Sequence, residues 1–264
     1  ALYGLGFDAN RDRPRLRTHD AQGHRIDTVD FHPAYHQLLR TAKEHGVAGL
    51  SWHEPQPGAH VARAALSYLH HQAEAGTSCP LTMTHAAVAV LADHPVLSEW
   101  AGKAAAPVYD PRDVPIADKV GITLGMGMTE KQGGSDVRAN TTRAEPDGSD
   151  AWGSRWRITG HKWFFSAPMC DAFLVLAQTP GGLSCFFLPR VLPDWAGGGL
   201  NALHIQRLKD KLGNKANASS EVEFAGATAW LVGEEGRGVP QILAMGTMTR
   251  LDCALGTSGL MRHA

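Results

Sequence analysis

The stretch from Gly125 to Val137, GMGMTEKQGGSDV, packs four glycines, two methionines and a Thr-Glu-Lys run into thirteen residues. Glycine lets bare backbone come close to a ligand, so a phosphate cradle is the first chemistry to test. A dinucleotide fingerprint needs G-x-G-x-x-G between a strand and a helix, but Glu130 stands where the third glycine belongs. A Walker loop needs Gly-Lys-Ser/Thr at its close, and none is present. What remains is an extended ITLGMGMTE followed by KQGGSD, which turns at Gly133 and Gly134. Such a loop either connects two strands or brings backbone up to a flat or charged ligand.

A second stretch, GHKWFFSAP from Gly160 to Pro168, combines aromatic residues with a hydroxyl. On a strand it offers a wall and one polar handle to a planar heteroaromatic ring, or else it is a core strand. Alternation puts Trp163 and Phe165 on one face and Phe164 and Ser166 on the other, so only Phe164 and Ser166 can serve a ligand together.

Other chemistries find less support. His32 and His36 stand at i, i+4, but the glutamate of H-E-x-x-H and a third ligand are missing, so they read as surface or partly buried helix histidines. His70 and His71 are adjacent and therefore on different faces. Cys79, Cys170, Cys185 and Cys253 form no C-x-x-C pair and read as free thiols of a reducing cytosol. No G-x-S-x-G elbow occurs, and GTSGL falls in a helical pattern. The run RLKDKLGNK, Arg207 to Lys215, is basic but diluted by Asp210 and reads as a solvated loop.

The elements that must position these residues follow from periodicity. Residues 1 to about 30 show little of it and read as an extended or loosely packed lead-in. FHPAYHQLLRTAKEHGV, GAHVARAALSYLHHQAEAG and CPLTMTHAAVAVLADHP have helical spacing, the third buried on most sides, and Pro107, Pro111 and Pro115 mark the exit. Beyond Val120 the period drops to two in RWRITGHKWFFSA, AFLVLAQT, LSCFFLPRVL and SSEVEFAGATAWLVG, the pattern of a sandwich or barrel. Helical spacing then returns to the end.

With 264 residues, 43% hydrophobic and 19% charged, the chain supports a substantial core and one or two domains. A net charge of −1 provides no global field for nucleic acid or an anionic membrane. Neither a membrane span nor a signal peptide is evident, and a cytoplasmic location is expected. The chain starts without Met and stops on GTSGLMRHA in mid-helix, so both ends are expected to be cut.

Together, TEKQGGSD and GHKWFFSA resemble the TEPxxGSD-type loop and GxKxWITN-type strand of the acyl-CoA dehydrogenase superfamily. The wording of MGMTEKQGGSDV, NTTRAE, GHKWFFS, GGLSCFF and RLKDKLGNKANASSEVEF is most similar to the branch acting in the bacterial response to DNA alkylation, from about Asp20 to the end. The resemblance implies an α+β fold: an N-terminal lead-in and α-helical domain over 1–120, a middle β-barrel flavin-binding domain over 121–232, and the first helix of a truncated C-terminal helical domain over 233–264. It implies FAD as cofactor, held by Met126, Gly127, Met128, Thr129, Glu130, Lys131, Gln132, Gly133, Gly134 and Ser135 with Phe164, Phe165 and Ser166. In this scheme Thr129 meets the pyrimidine side of the isoalloxazine and Ser135 the pyrophosphate. Phe164 stands for the family's stacking tryptophan, and Ser166 for a threonine at the N5 and O4 edge. The glycines would let backbone approach the flavin. Lys131 and Gln132 depart from the family's Pro-Gly.

The implied function is that of an FAD-dependent acyl-CoA dehydrogenase-type oxidoreductase with weak activity toward acyl-CoA such as isovaleryl-CoA. Alternatives are an ordinary acyl-CoA dehydrogenase and a DNA-shielding flavoprotein whose redox chemistry is vestigial. The implied partners are an acyl-CoA or other small substrate, further copies in a homotetramer, and duplex DNA through the missing C-terminal domain. The family's base is a glutamate of the C-terminal domain or of its first helix, where this chain has Thr249. No catalytic residue is therefore assigned. The chain by itself is expected neither to dehydrogenate acyl-CoA nor to bind DNA or flavin well.

Overall fold

The computed structural model describes all 264 residues. The first thirty are ordered, unlike the expected lead-in. Leu2–Arg11 forms helix α1, and Arg15–His19 (β1) pairs antiparallel with Arg25–Asp30 (β2). Two glycines and a short length hide the α1 stripe in the sequence, yet Leu2, Leu5 and Ala9 pack against Pro33–Glu44 (α2). Across the hairpin Arg17 donates to Asp30 at 2.6 Å, so charges that suggested looseness pair between strands.

Four more helices follow: Leu50–His53 (α3), Ala59–Ala73 (α4), Ser78–Leu91 (α5) and Ser98–Ala105 (α6). α5 is apolar on nearly every side and runs through the middle of the molecule, with eleven of its fourteen residues buried. The short α3 and α6 escape a periodicity reading because neither completes a clear stripe.

The β region comprises Leu124–Gly127 (β3), Arg143–Asp150 (β4), Gly153–Ser166 (β5), Ala172–Thr179 (β6), Gly182–Pro189 (β7), Leu203–Leu208 (β8) and Ser219–Val232 (β9). The order is β3-β6-β4-β5-β9-β7, and β7 also pairs with β6, which closes the sheet on itself, while β8 pairs with β9. Pairing is antiparallel except that β6 runs parallel to β3 and meets β4 in parallel at Arg143 and Gln178. No helix crosses over between these strands. Phe165, Phe173 and Phe186 are buried inside the closed sheet, and Phe187, on the other face of β7, packs against Trp100 of α6. β4 lacks a strand signature because Pro146, Asp147 and Gly148 read as a turn, and a bulge between Pro146 and Ser149 accommodates them. β8 contains the start of the run read as a solvated loop.

The chain ends in one helix, Gly238–His263 (α7), packed across α4 and α5. A Cβ at Gly259 would lie 2.7 Å from the Tyr68 carbonyl, so only glycine permits this crossing. No helix is long and apolar enough to cross a membrane.

Candidate functional site

A cleft of about 400 Å³ opens between β3, β5, α5 and α7. Met126, Met128 and Thr129 line one side, and Phe164 and Ser166 the floor. His71, Ser78, Cys79, Thr82, Met83, Asn214, Thr249, Asp252 and Cys253 complete it. Two stretches more than thirty residues apart are thus joined, and the joint is direct: Trp163 N donates to the Thr129 carbonyl at 2.8 Å.

Strand β3 alternates with consequence. Met126 and Met128 face the cleft, and Gly125 and Gly127 face the barrel interior. A Cβ at Gly127 would sit 2.6 Å from the Phe165 ring, and one at Gly125 would sit 2.6 Å from Phe173. These two glycines make room for core aromatics, which corrects the expectation that their bareness serves a ligand. Gly133, at φ +112° with open space around it, does serve the turn.

Glu130 points inward rather than toward the cleft. It is fully buried, and Lys162 Nζ donates to Oε1 at 2.7 Å. The Thr141 backbone N–H and hydroxyl donate to Oε2 at 2.6 and 2.9 Å, and Thr142 N–H to Oε1 at 3.2 Å. Burial pushes the carboxyl up, but the Lys162 ammonium and these donors outweigh it and hold it well below the usual carboxylate range. The side chain is therefore an anchor for the loop from beneath. Lys131, Gln132, Gly133, Gly134 and Ser135 form a largely exposed turn beyond the cleft and do not line it. Gln132 is tied back by a 2.9 Å bond to Asn140, whose amide donates to the Met128 carbonyl at 2.8 Å.

Strand β5 carries a bulge between Lys162 and Phe165, so Trp163 and Phe164 together oppose Glu221. The extra residue breaks strict alternation: Lys162 and Phe165 both turn into the interior, while Phe164 and Ser166 reach the cleft. Phe165 is fully buried against Phe173, which corrects its assignment as a ligand contact. Phe164 is 52% exposed, unusual for an aromatic side chain not covered by a partner. Lys209 Nζ lies 4.5 Å from its ring centre and 3.8 Å from that of Trp163, and donates to Glu221 at 2.6 Å.

The helical wall holds residues that sequence reasoning missed. Arg63 of α4 and Asp252 of α7 are 3% and 2% exposed and meet through both guanidinium arms, one at 2.6 Å. Arg63 also donates to the Val47 carbonyl, and the Thr82 hydroxyl to Asp252 Oδ2 at 2.8 Å. Burial raises the Asp252 carboxyl, but the Arg63 and Thr82 hydrogen bonds prevail and the group is held low. Both oxygens are occupied, so Asp252 is a poor proton acceptor. Thr249 lines the same wall, its hydroxyl donating to the Gly246 carbonyl. A charged residue within an Ala-rich helix and another within an apolar helix were the available signals. Elsewhere, His32 caps α2 by accepting from Ala34 N–H, and His36 meets the Tyr109 hydroxyl at 2.8 Å. No group of three or more His, Cys, Asp or Glu side chains is placed to share a metal ion.

The cleft is lined by sulfur, one exposed aromatic face and a few hydroxyls, a donor set suited to a planar heteroaromatic ring. Known proteins agree with the architecture. Residues 1–111 match the family described as adaptive response protein AidB N-terminal domain, and residues 125–227 the acyl-CoA dehydrogenase middle domain. The chain is 53% identical to the putative acyl-CoA dehydrogenase AidB of Escherichia coli (strain K12), over 98% of this chain and 47% of that protein. It is 32% identical to acyl-CoA dehydrogenase family member 11 of Caenorhabditis elegans, over 98% of this chain and 42% of the relative. The chain thus spans about half the length of these curated relatives. Among solved structures, Caenorhabditis elegans ACDH-11 in complex with C11-CoA superposes with a TM-score of 0.86 at 30% identity, covering 99% of this chain and 44% of that one. Butyryl-CoA dehydrogenase of Megasphaera elsdenii shares the fold at a TM-score of 0.67 and 17% identity, covering 99% and 65%. The closed sheet, the loop over it and both matched domains lead to one assignment: the chain belongs to the acyl-CoA dehydrogenase family, oxidoreductases whose cofactor is FAD, and combines an AidB N-terminal domain with an acyl-CoA dehydrogenase middle domain.

Proposed function

We propose that the cleft holds the isoalloxazine of FAD, and that the protein serves an acyl-CoA dehydrogenase-type oxidation of an acyl thioester. The observation that carries this reading is the meeting of Met126, Met128, Thr129, Phe164 and Ser166 on one cleft from two distant segments. Bound there, FAD supplies an acceptor for hydride. The chain's own residues do the rest. Phe164 presents an open aromatic face for stacking, Met126 and Met128 keep water from the ring, and the Thr129 and Ser166 hydroxyls fix its polar edge. Gly133, Gly134 and Ser135, on the turn that follows Thr129, would hold the pyrophosphate. No free carboxylate faces the cleft, since Asp252 is clamped, so the proton-abstracting base is outside these residues.

The finer reading, a part in the response to DNA alkylation with isovaleryl-CoA-like substrates, a tetrameric assembly and DNA contact, is supported by the likeness to AidB. Acyl-CoA binding is supported by ACDH-11, solved with C11-CoA.

Phe164→Ala combined with Ser166→Ala is expected to weaken FAD affinity at least tenfold, read from flavin fluorescence titration. Affinity equal to the parent's would refute the placement of the ring.

A further inference from the structure

Ser166 ends a chain of polar side chains that leads away from the cleft. Its Oγ lies 3.2 Å from Oγ of Ser219, its cross-strand partner on β9. Lys211 Nζ donates to Ser219 Oγ at 3.2 Å. It also donates to the carbonyls of Asn214 and Asn217, at 2.8 and 2.7 Å. Three protons thus meet three acceptors, the full capacity of an ammonium group.

A lysine ammonium donates and never accepts, so Ser219 Oγ is the acceptor of that bond, and the one hydrogen-bond partner left for the Ser219 proton is Ser166 Oγ. Ser219 Oγ accepts a hydrogen bond from Lys211, and its own O–H then has Ser166 Oγ as its acceptor. Ser166 then accepts from Ser219, and its own proton is free to turn into the cleft. We infer that Lys211, acting through Ser219, is a positioning residue that keeps Ser166 a hydrogen-bond donor toward an acceptor atom of the bound ligand. The inference rests on the proposed reading of the cleft, in which that acceptor is the polar edge of the isoalloxazine. A donor fixed on a carbonyl oxygen of the ring would favour the reduced form, because negative charge gathers there on reduction, whereas N5 itself gains a proton. Without Lys211, both hydroxyls can reverse, and Ser166 can present a lone pair instead.

The test uses the FAD-loaded protein and measures its midpoint potential by dye equilibration for the parent, Ser219→Ala, Lys211→Met and Lys211→Arg. Ser219→Ala leaves both Lys211 bonds to backbone in place, so it breaks the chain without releasing the 211–217 loop. Losing one directed hydrogen bond is expected to shift the reduction equilibrium about tenfold toward the oxidised ring, about 30 mV for a two-electron couple. Lys211→Met should do the same, the double variant should add nothing, and Lys211→Arg should restore the parent potential. An unchanged potential in folded Ser219→Ala overturns the inference. So does a shift in Lys211→Met that Ser219→Ala does not reproduce, because the charge would then act without the chain. A parent protein that takes up no FAD would refute the cleft assignment itself, an outcome visible before any potential is measured.

Discussion

Two buried ion pairs flank the cleft, and they differ in what they join. Glu130 and Lys162, both fully buried, connect neighbouring parts of one sheet region and are surrounded by the Thr141 and Thr142 donors. Arg63 and Asp252 lie 189 residues apart and fasten α7 to α4, with Val47 and Thr82 as the other partners. The first pair is part of the floor; the second attaches the wall. Breaking either leaves an uncompensated charge, but the first loss spreads through the barrel and the second opens one helix contact.

The largest effect expected from this contrast is that of Glu130→Gln, which strands the Lys162 ammonium in the interior. It should cost about 3 to 5 kcal/mol in urea unfolding, whereas Glu130→Leu with Lys162→Met should recover most of that. A loss under 1 kcal/mol in the single variant would end the claim that this pair anchors the loop.

Acidification should separate the two regions next. Burial lowers His70 and His85 of the helical region to about 4, so above pH 6.5 both states leave them neutral. As pH falls from 6.5 toward 4 the unfolded chain takes up protons first, and stability declines by on the order of 3 kcal/mol per histidine. Glu130 has the opposite history: held at about 2, it contributes stability above pH 4.5 that is lost only between about 4.5 and 2. Hydrogen exchange followed down in pH should show α4 and α5 loosening before β5. Simultaneous loss would show that wall and floor are one cooperative unit.

Asp252→Asn should cost about 2 to 3 kcal/mol, the penalty for unpairing a buried guanidinium. Exchange protection should fall in α7 and α4 while β5 and β9 keep theirs. Loss of protection throughout the barrel would erase the distinction between the two pairs.

The smallest effects concern glycines. Gly127→Ala forces a methyl against Phe165 and should cost about 1 to 2 kcal/mol. Gly133→Ala meets no atoms and carries only the strain of its φ, about 1 kcal/mol. Thermal melts that reverse this order would return Gly127 to a ligand-facing role.

Much of the floor was legible in the sequence. Its residues lie in two short, distinctive stretches whose hydroxyls and aromatics already suggest a ring-binding surface, and alternation correctly chose Phe164 with Ser166. Alternation also put Phe165 opposite this pair, as found, and its place in the ligand set came from the resemblance; what alternation did not foresee is the β5 bulge, which turns Lys162 and Phe165 to the same side, because a bulge has no fixed composition. The helical wall was legible only at Thr249, through the resemblance: His71, Cys79 and Cys253 look like ordinary residues of three separate helical patterns. Ordered residues 1–30 were missed for a related reason, since Arg and Asp pair across the hairpin instead of forming a periodic apolar face.

By itself the sequence determined the succession of helices, strands and helix, because periods of 3.6 and 2 are local properties of which side must be buried. It also determined the chemical character of the loop and strand, since side-chain type is independent of neighbours. Only the tertiary structure decided which atoms meet. Pairing of β3 with β6 placed Gly125 and Gly127 over core rings, and docking of α7 brought Asp252 to Arg63. Register on β9 put Ser219 beside Ser166, within reach of Lys211. Such contacts depend on packing between segments far apart in the chain, where a shift of one residue exchanges every partner.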